Sequence, residues 1–143
     1  MDETIIKLKT PEECILFANK CTDLAREARR RAIELRALTH TNVSLVETEL
    51  WKALYAYEEI LTKKHKRRTL AGRTRQMITR YGIIGTAERA VNRKIEAMGY
   101  KVLVEMGMQD LTFESVIIKF PNSFKQDIVK LCKERLEELS SIK

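Results

Sequence analysis

Residues 63–94 read KKHKRRTLAGRTRQMITRYGIIGTAERAVNRK, eleven Lys and Arg against a single acid, Glu88. The segment carries a net +10, whereas the rest of the chain holds 16 cations against 19 acids, a net −3. No acidic residue stands between Thr62 and Ala87. The chemistry open to such a cluster is phosphate contact, which asks only for Lys and Arg gathered on one accessible surface. Basicity concentrated in this way predicts a surface that faces a polyanion. Lys63, Lys64, Lys66, Arg67, Arg68, Arg73 and Arg75 crowd into one short run, and Arg80 follows. These eight are the expected phosphate contacts, with Thr69 and Thr74 as hydrogen-bonding neighbours. The plainer reading is a solvated face balanced by acids elsewhere, such as Glu58, Glu59 and the C-terminal helix. Like charges on a helix repel by a few tenths of a kcal/mol per pair, about 0.2–0.5. An uncompensated run therefore favours a polyanionic partner.

The second part of the segment suggests base contact. Residues 72–97 follow the order helix, short turn at Gly82, helix, which is the order of a helix-turn-helix. On the second helix Thr86, Arg89, Asn92, Arg93 and Glu96 are expected to face outward. Arg suits the two acceptors of guanine, and Asn suits the donor and acceptor of adenine. Arg89, Asn92 and Arg93 are the expected base contacts. The pattern is degenerate: Glu88 stands where the motif places an apolar residue, and "IIG" lengthens the turn.

Catalytic groups are sparse. His40 sits at the end of a helix, where a cation is favourable. His65 lies within the basic run, and the two are not spaced as a metal pair. Glu58 and Glu59 are adjacent and diverge by about 100° on a helix, so they cannot act as a dyad. Glu58, Glu88 and Glu105 could converge only through the fold. The glycines lack phosphate-loop spacing. Cys14, Cys21 and Cys132 lack the paired spacing of a zinc site. Cys14 and Cys21 lie seven apart and are expected in the core, as free cysteines usually are. No catalytic residue, metal site or cofactor is expected.

The elements that must position these residues are all helical. Gly (5) and Pro (2) are scarce, which favours long helices over sharp turns. Thr10-Pro11-Glu12-Glu13 marks a helix start with Glu13 completing a capping box. A break is expected near Thr22-Asp23. A second helix over about 23–39 would turn Leu24, Ala25, Ala28, Ala32, Leu35 and Leu38 inward. Ala25, Ala32 and AIEL at 32–35 resemble one helical hairpin of the tetratricopeptide type, and the resemblance is confined to this opening pair of helices. Arg29 stands where such a repeat places a large aromatic, and no second copy follows. A repeat array needs several stacked units, so the pair is read as ordinary helix packing.

Ser44 with Glu47 opens the longest pattern, 45–63. Val46, Leu50, Trp51, Leu54, Tyr57, Ile60 and Leu61 give it a wide apolar face, so it is the expected central helix. A helix over 70–81 would bury Leu70, Met77, Ile78 and Tyr81 on one side. Gly82 would end it. Thr86 would then cap a helix to Met98, ended by Gly99. YKVLVEMG at 100–107 is read as helix, since a lone strand would have no partner. Asp110 would cap a helix over 111–119 that stops before Pro121. Ser123 with Gln126 would open the last helix, with Ile128, Leu131, Cys132, Leu136 and Leu139 inward.

The chain of 143 residues fits one domain, 1–143, of six or seven helices around 45–63. No apolar run reaches the roughly 18–20 residues of a membrane span. The N-terminus is too short in its apolar part for a signal peptide, so a cytoplasmic location is expected. The expected function is nucleic-acid binding, DNA before RNA. The alternative is a non-catalytic adaptor docking on an acidic protein, a nucleoprotein or a second copy. Met98, Met106 and Met108, set around Gly99 and Gly107, suit either a flexible contact surface or core filling.

Overall fold

A computed structural model describes residues 1–92 and 97–141. The fold is all-α, with seven α-helices and no strand among the described residues. The helices are α1 (Glu3–Ile6), α2 (Pro11–Ala37), α3 (Leu45–His65), α4 (Gly72–Ala90), α5 (Ala97–Glu105), α6 (Phe113–Lys119) and α7 (Gln126–Ser141). A 3₁₀ turn at Pro121–Ser123 links the last two. The chain divides into two compact units, Met1–Ala32 and Ile33–Lys143.

The first unit holds α1 and most of α2, and none of its residues is buried. A segment this short cannot build a core of its own. Cys14 and Cys21, expected inside, are therefore exposed. The Thr10 cap forms as read, with the Glu13 N–H donating to Thr10 Oγ1 at 3.1 Å, but the Glu13 carboxylate accepts from the Lys9 N–H at 2.8 Å, one residue ahead of the bond that a capping box would make. The break expected at Thr22-Asp23 does not occur. Thr22 donates its hydroxyl to the Ala18 carbonyl within the turn, and no Gly or Pro interrupts α2 beyond Pro11. The hairpin resemblance therefore falls on a single helix. Leu24, Leu35 and Leu38, expected inward, are about half exposed or more. Ile33 and Ala37 are the buried residues of α2.

The second unit is organised by α3. Its capping box forms in both directions: Ser44 Oγ accepts from the Glu47 N–H, and the Glu47 carboxylate accepts from the Ser44 N–H. Each satisfies a backbone donor that a bare helix end leaves open. One side of α3 places Leu50 and Ala53 against Ile83, Ala87 and Val91 of the α4 region, Val116 and Ile117 of α6, and Val129 and Cys132 of α7. Its other side places Tyr55 and Ala56 against Ile33, Ala37, Leu103, Met106, Met108 and Leu111. Met106 and Met108 are thus core fillers. Trp51 packs against both clusters. Tyr57, expected inward, is exposed, and its place is taken by Tyr55 and Glu58.

Several boundaries differ from the sequence expectation. The first helix does end at Gly82 as expected, with non-helical φ +77° and ψ 169°, but the second follows it without the longer turn read for IIG, so α4 comprises two halves and closes at Ala90, short of Met98. That region of backbone space is essentially reserved for glycine. The second half begins directly after Gly82, so Thr86 is not a cap. It is fully buried and donates its hydroxyl to the Gly82 carbonyl at 2.7 Å. Gly99 lies within α5 and ends no helix. The end of α5 falls instead at Gly107, φ +70°, where Met108 N–H reaches Leu103 O and Gly107 N–H reaches Val104 O. This paired closure is a Schellman motif, with buried Met108 and Leu103 as its apolar contact. Thr112, not Asp110, caps α6 by accepting from the Ser115 N–H. Ser123 lies in the 3₁₀ turn, and the Lys125 carbonyl takes the first bonds of α7.

Glu114 on α6 is buried beside Arg135 of α7, with Arg135 Nη1 at 4.0 Å and without a hydrogen-bond partner. Burial raises the Glu114 carboxyl above its ordinary range, although its own backbone N–H and Arg135 pull it down. Burial, reinforced by Glu114, pushes the nearby Cys132 thiol up to about 12.

Candidate nucleic-acid interface

The basic run occupies the last turn of α3, the connection to α4 and the first turn of α4. Lys63 and Lys64 close α3 at the end where the helix dipole favours cations. Lys66 then takes a left-handed conformation, φ +56°, and turns the chain out of the helix. The connection is tied back to α3 at two points. The Thr69 N–H donates to Thr62 Oγ1 at 3.0 Å, and the Ala71 N–H donates to Glu58 Oε2 at 2.8 Å. Thr69 uses its own hydroxyl on the Arg67 carbonyl. That hydroxyl therefore already serves the loop.

Glu58 is the anchor of this region, and it is fully buried. Arg75 grips it with two parallel bonds, Nε to Oε2 at 2.6 Å and Nη2 to Oε1 at 2.8 Å. Such paired, charge-assisted bonds are among the strongest a carboxylate can make. Burial alone pushes the Glu58 carboxyl up. The Arg75 bonds, the Ala71 N–H and the charges of Arg75 and Arg68 outweigh it and hold the group below its ordinary value. The same bonds hold the Arg75 guanidinium above its own ordinary value, against its partial burial. Arg75, expected to contact phosphate, is thus committed to Glu58. Arg68 is partly committed as well. It lies 3.3 Å from Glu59, which also receives Arg36 at 2.8 Å. The acids nearest the basic run thus compensate Arg75 and Arg68. Lys63, Lys64, Lys66, Arg67, Arg73 and Arg80 are exposed.

Behind the anchor lies a second polar group. His40 Nε2 is 2.6 Å from the Tyr55 hydroxyl, and its ring stacks on Trp51 at a centroid distance of 3.7 Å. Burial, with Arg75 nearby, lowers the His40 value. His40 therefore favours the neutral form instead of serving as a cation at a helix end. Glu58 and Glu59 diverge as expected, one to Arg75 and one to Arg36 and Arg68. Glu58, Glu88 and Glu105 do not converge: no three His, Cys, Asp or Glu gather among the described residues.

The expected base-contact residues lie elsewhere on the unit. Arg89 places its guanidinium carbon 3.7 Å from the centre of the Tyr81 ring, and Arg80 reaches the same ring at 6.0 Å. Two hollows of about 330 and 380 Å³ share Tyr81, Arg89 and Asn92. The first adds Gly85, Glu88 and Lys125, and the second adds Met77 and Arg80. The fold therefore brings Arg80, Arg89 and Asn92 together. Arg93 and Glu96 lie outside the described residues. The chain matches no family model, no curated protein and no solved structure.

Two members of this second site go beyond the sequence expectation. Tyr81, placed by its spacing in the core stripe of its helix, is 41% exposed. It is the last residue before the break at Gly82, where the stripe loses its phase. Lys125 stands just ahead of α7, far beyond Asn92 in the chain, and no local pattern links the two.

Proposed function

We propose that this chain is a cytoplasmic nucleic-acid-binding protein, acting on DNA before RNA, that grips phosphates through the α3–α4 connection. Lys63, Lys64, Lys66, Arg67 and Arg73 supply the grip, with Arg68 shared between Glu59 and the ligand. The observation that carries this reading is the exposure of these cations while Glu58 and Glu59 are occupied by Arg75, Arg68 and Arg36. Among the described residues, no ion pair joins Lys63, Lys64, Lys66, Arg67 or Arg73 to an acid. Arg75 acts as the fastener that fixes the connection to α3. Arg80, Arg89 and Asn92 are the residues for contact beyond the backbone. Among the described residues, no helix is long and apolar enough to cross a membrane.

The test is binding to duplex and single-stranded oligonucleotides across a salt series. Affinity falls steeply with salt, and the slope reports the number of phosphates neutralised. Arg67→Glu weakens binding to all sequences alike and lowers the slope by about one or more. Absence of binding at low salt sinks the proposal.

A second reading, a protein adaptor, draws on Ile15, Leu16 and Leu24 of the 1–32 unit, each more than half exposed. It is favoured by a partner that survives nuclease treatment and by charge reversal at Arg67 and Arg68 having no effect on that partner.

A further inference from the structure

The hollow around Tyr81 adds a requirement that phosphate contact does not have. An exposed aromatic ring with a guanidinium laid over it, flanked by further cations, offers stacking as well as charge. Resting on the phosphate-binding reading above, we propose that Tyr81 and Arg89 form a stacking platform for one unpaired nucleobase of a single strand. The faces of bases inside a duplex are already stacked, so only a splayed base can use such a platform. Guanidinium planes and aromatic rings both stack on bases, so the Tyr81–Arg89 pair extends the stack by one member.

The local backbone is built to present this pair. On an unbroken helix residues 81 and 89 would stand about 12 Å apart along the axis. The break at Gly82 allows the Arg89 side chain to reach the ring. Gly85 keeps the space beside Tyr81 open: a Cβ there would lie 3.2 Å from the Tyr81 Cβ. Arg80 on one side and Lys125 on the other are placed for the phosphates flanking the base. Asn92 offers a donor and an acceptor to the base edge. Glu88 on the wall accepts hydrogen bonds only, which suits an edge carrying an exocyclic amine.

The probe is a short fluorescein-labelled oligo-dC strand, compared by anisotropy with a duplex of the same length. Tyr81→Ala is expected to weaken the single strand by about 5- to 140-fold, the worth of one stacked base. Duplex affinity should stay within about twofold, and the salt slope should not change. Tyr81→Phe restores single-strand binding, and Gly85→Ala, which crowds the ring without altering charge, weakens it. Equal losses on strand and duplex, or no loss on either, overturn the platform while leaving the phosphate reading standing. If the unmodified protein binds neither oligonucleotide, the phosphate reading fails, and free cytidine monophosphate decides the platform alone. Amide NMR shifts confined to the neighbourhood of Gly85 and Arg89 sustain it, and their absence overturns it.

Discussion

Glu58 and Glu114 are both buried acids in the 33–143 unit, and both face an arginine. The first is held below the ordinary carboxylate range and the second above it. The difference lies in geometry. Arg75 meets Glu58 with two bonds of 2.6 and 2.8 Å, and the Ala71 N–H adds a third. Arg135 stops 4.0 Å from Glu114 and leaves Nη1 unbonded. Desolvation costs several kcal/mol per ion, and only close, saturated bonding offsets it. Burial beside an arginine is therefore not enough to hold a carboxyl at or below its ordinary value.

The largest effect is expected from Arg75→Ala, which leaves Glu58 buried without its counter-ion. Urea unfolding at pH 7 should show a loss of about 3 kcal/mol. Because the folded Glu58 value is depressed, its stabilisation is present above the ordinary value of 4.5 and fades as pH falls through the folded value. The loss in Arg75→Ala should therefore shrink at pH 3. A loss of equal size at both pH values would mean that packing, not charge, was removed. Next, Ala71→Pro deletes one N–H donor to a charged acceptor and should cost about 2 kcal/mol by the same measurement.

Glu114→Gln should act in the opposite direction. The folded Glu114 value is raised, so its contribution is full below 4.5 and is lost as pH rises through the folded value. The variant escapes that loss and should gain about 1 kcal/mol at pH 7, with no gain at pH 3. A variant less stable at pH 7 would break the comparison. Smallest is Arg135→Met, expected within about 0.5 kcal/mol at pH 7, since no hydrogen bond to Glu114 is lost. Its informative readout is NMR titration of Glu114, whose midpoint should move further up.

The sequence shows charge density and helix chemistry well. The Ser44–Glu47 box and the apolar residues Leu50 and Leu54 hold in the structure, because each is a property of neighbours in the chain, and the +10 segment is legible as composition. Arg75 and Glu58 stand on different helices with the whole basic connection between them, so nothing local announces their pairing. The exposure of Cys14, Cys21 and Leu24 is hidden for another reason. A helical pattern tells which side is apolar, not whether anything covers it. Tyr81 escapes the pattern because a periodic stripe cannot be extended up to a glycine that ends it.

Gly82 also governs how this chain can change in length. In an unbroken helix an inserted residue rotates everything beyond it by about 100° and carries the core residues out of register. Here Arg75 fixes the first half of α4 to α3, while Ile83 and Ala87 seat the second half in the core. The space around Gly82 is open, with nothing within 4 Å of where a Cβ would stand. One added glycine at this point is absorbed by the junction, whereas the same insertion beside Ile78 or Ala87 displaces a packed side chain. The core seats of both halves would survive a change at the junction, and its cost would fall on the contacts that cross it, the Thr86 bond to the Gly82 carbonyl and the Arg89 contact with Tyr81.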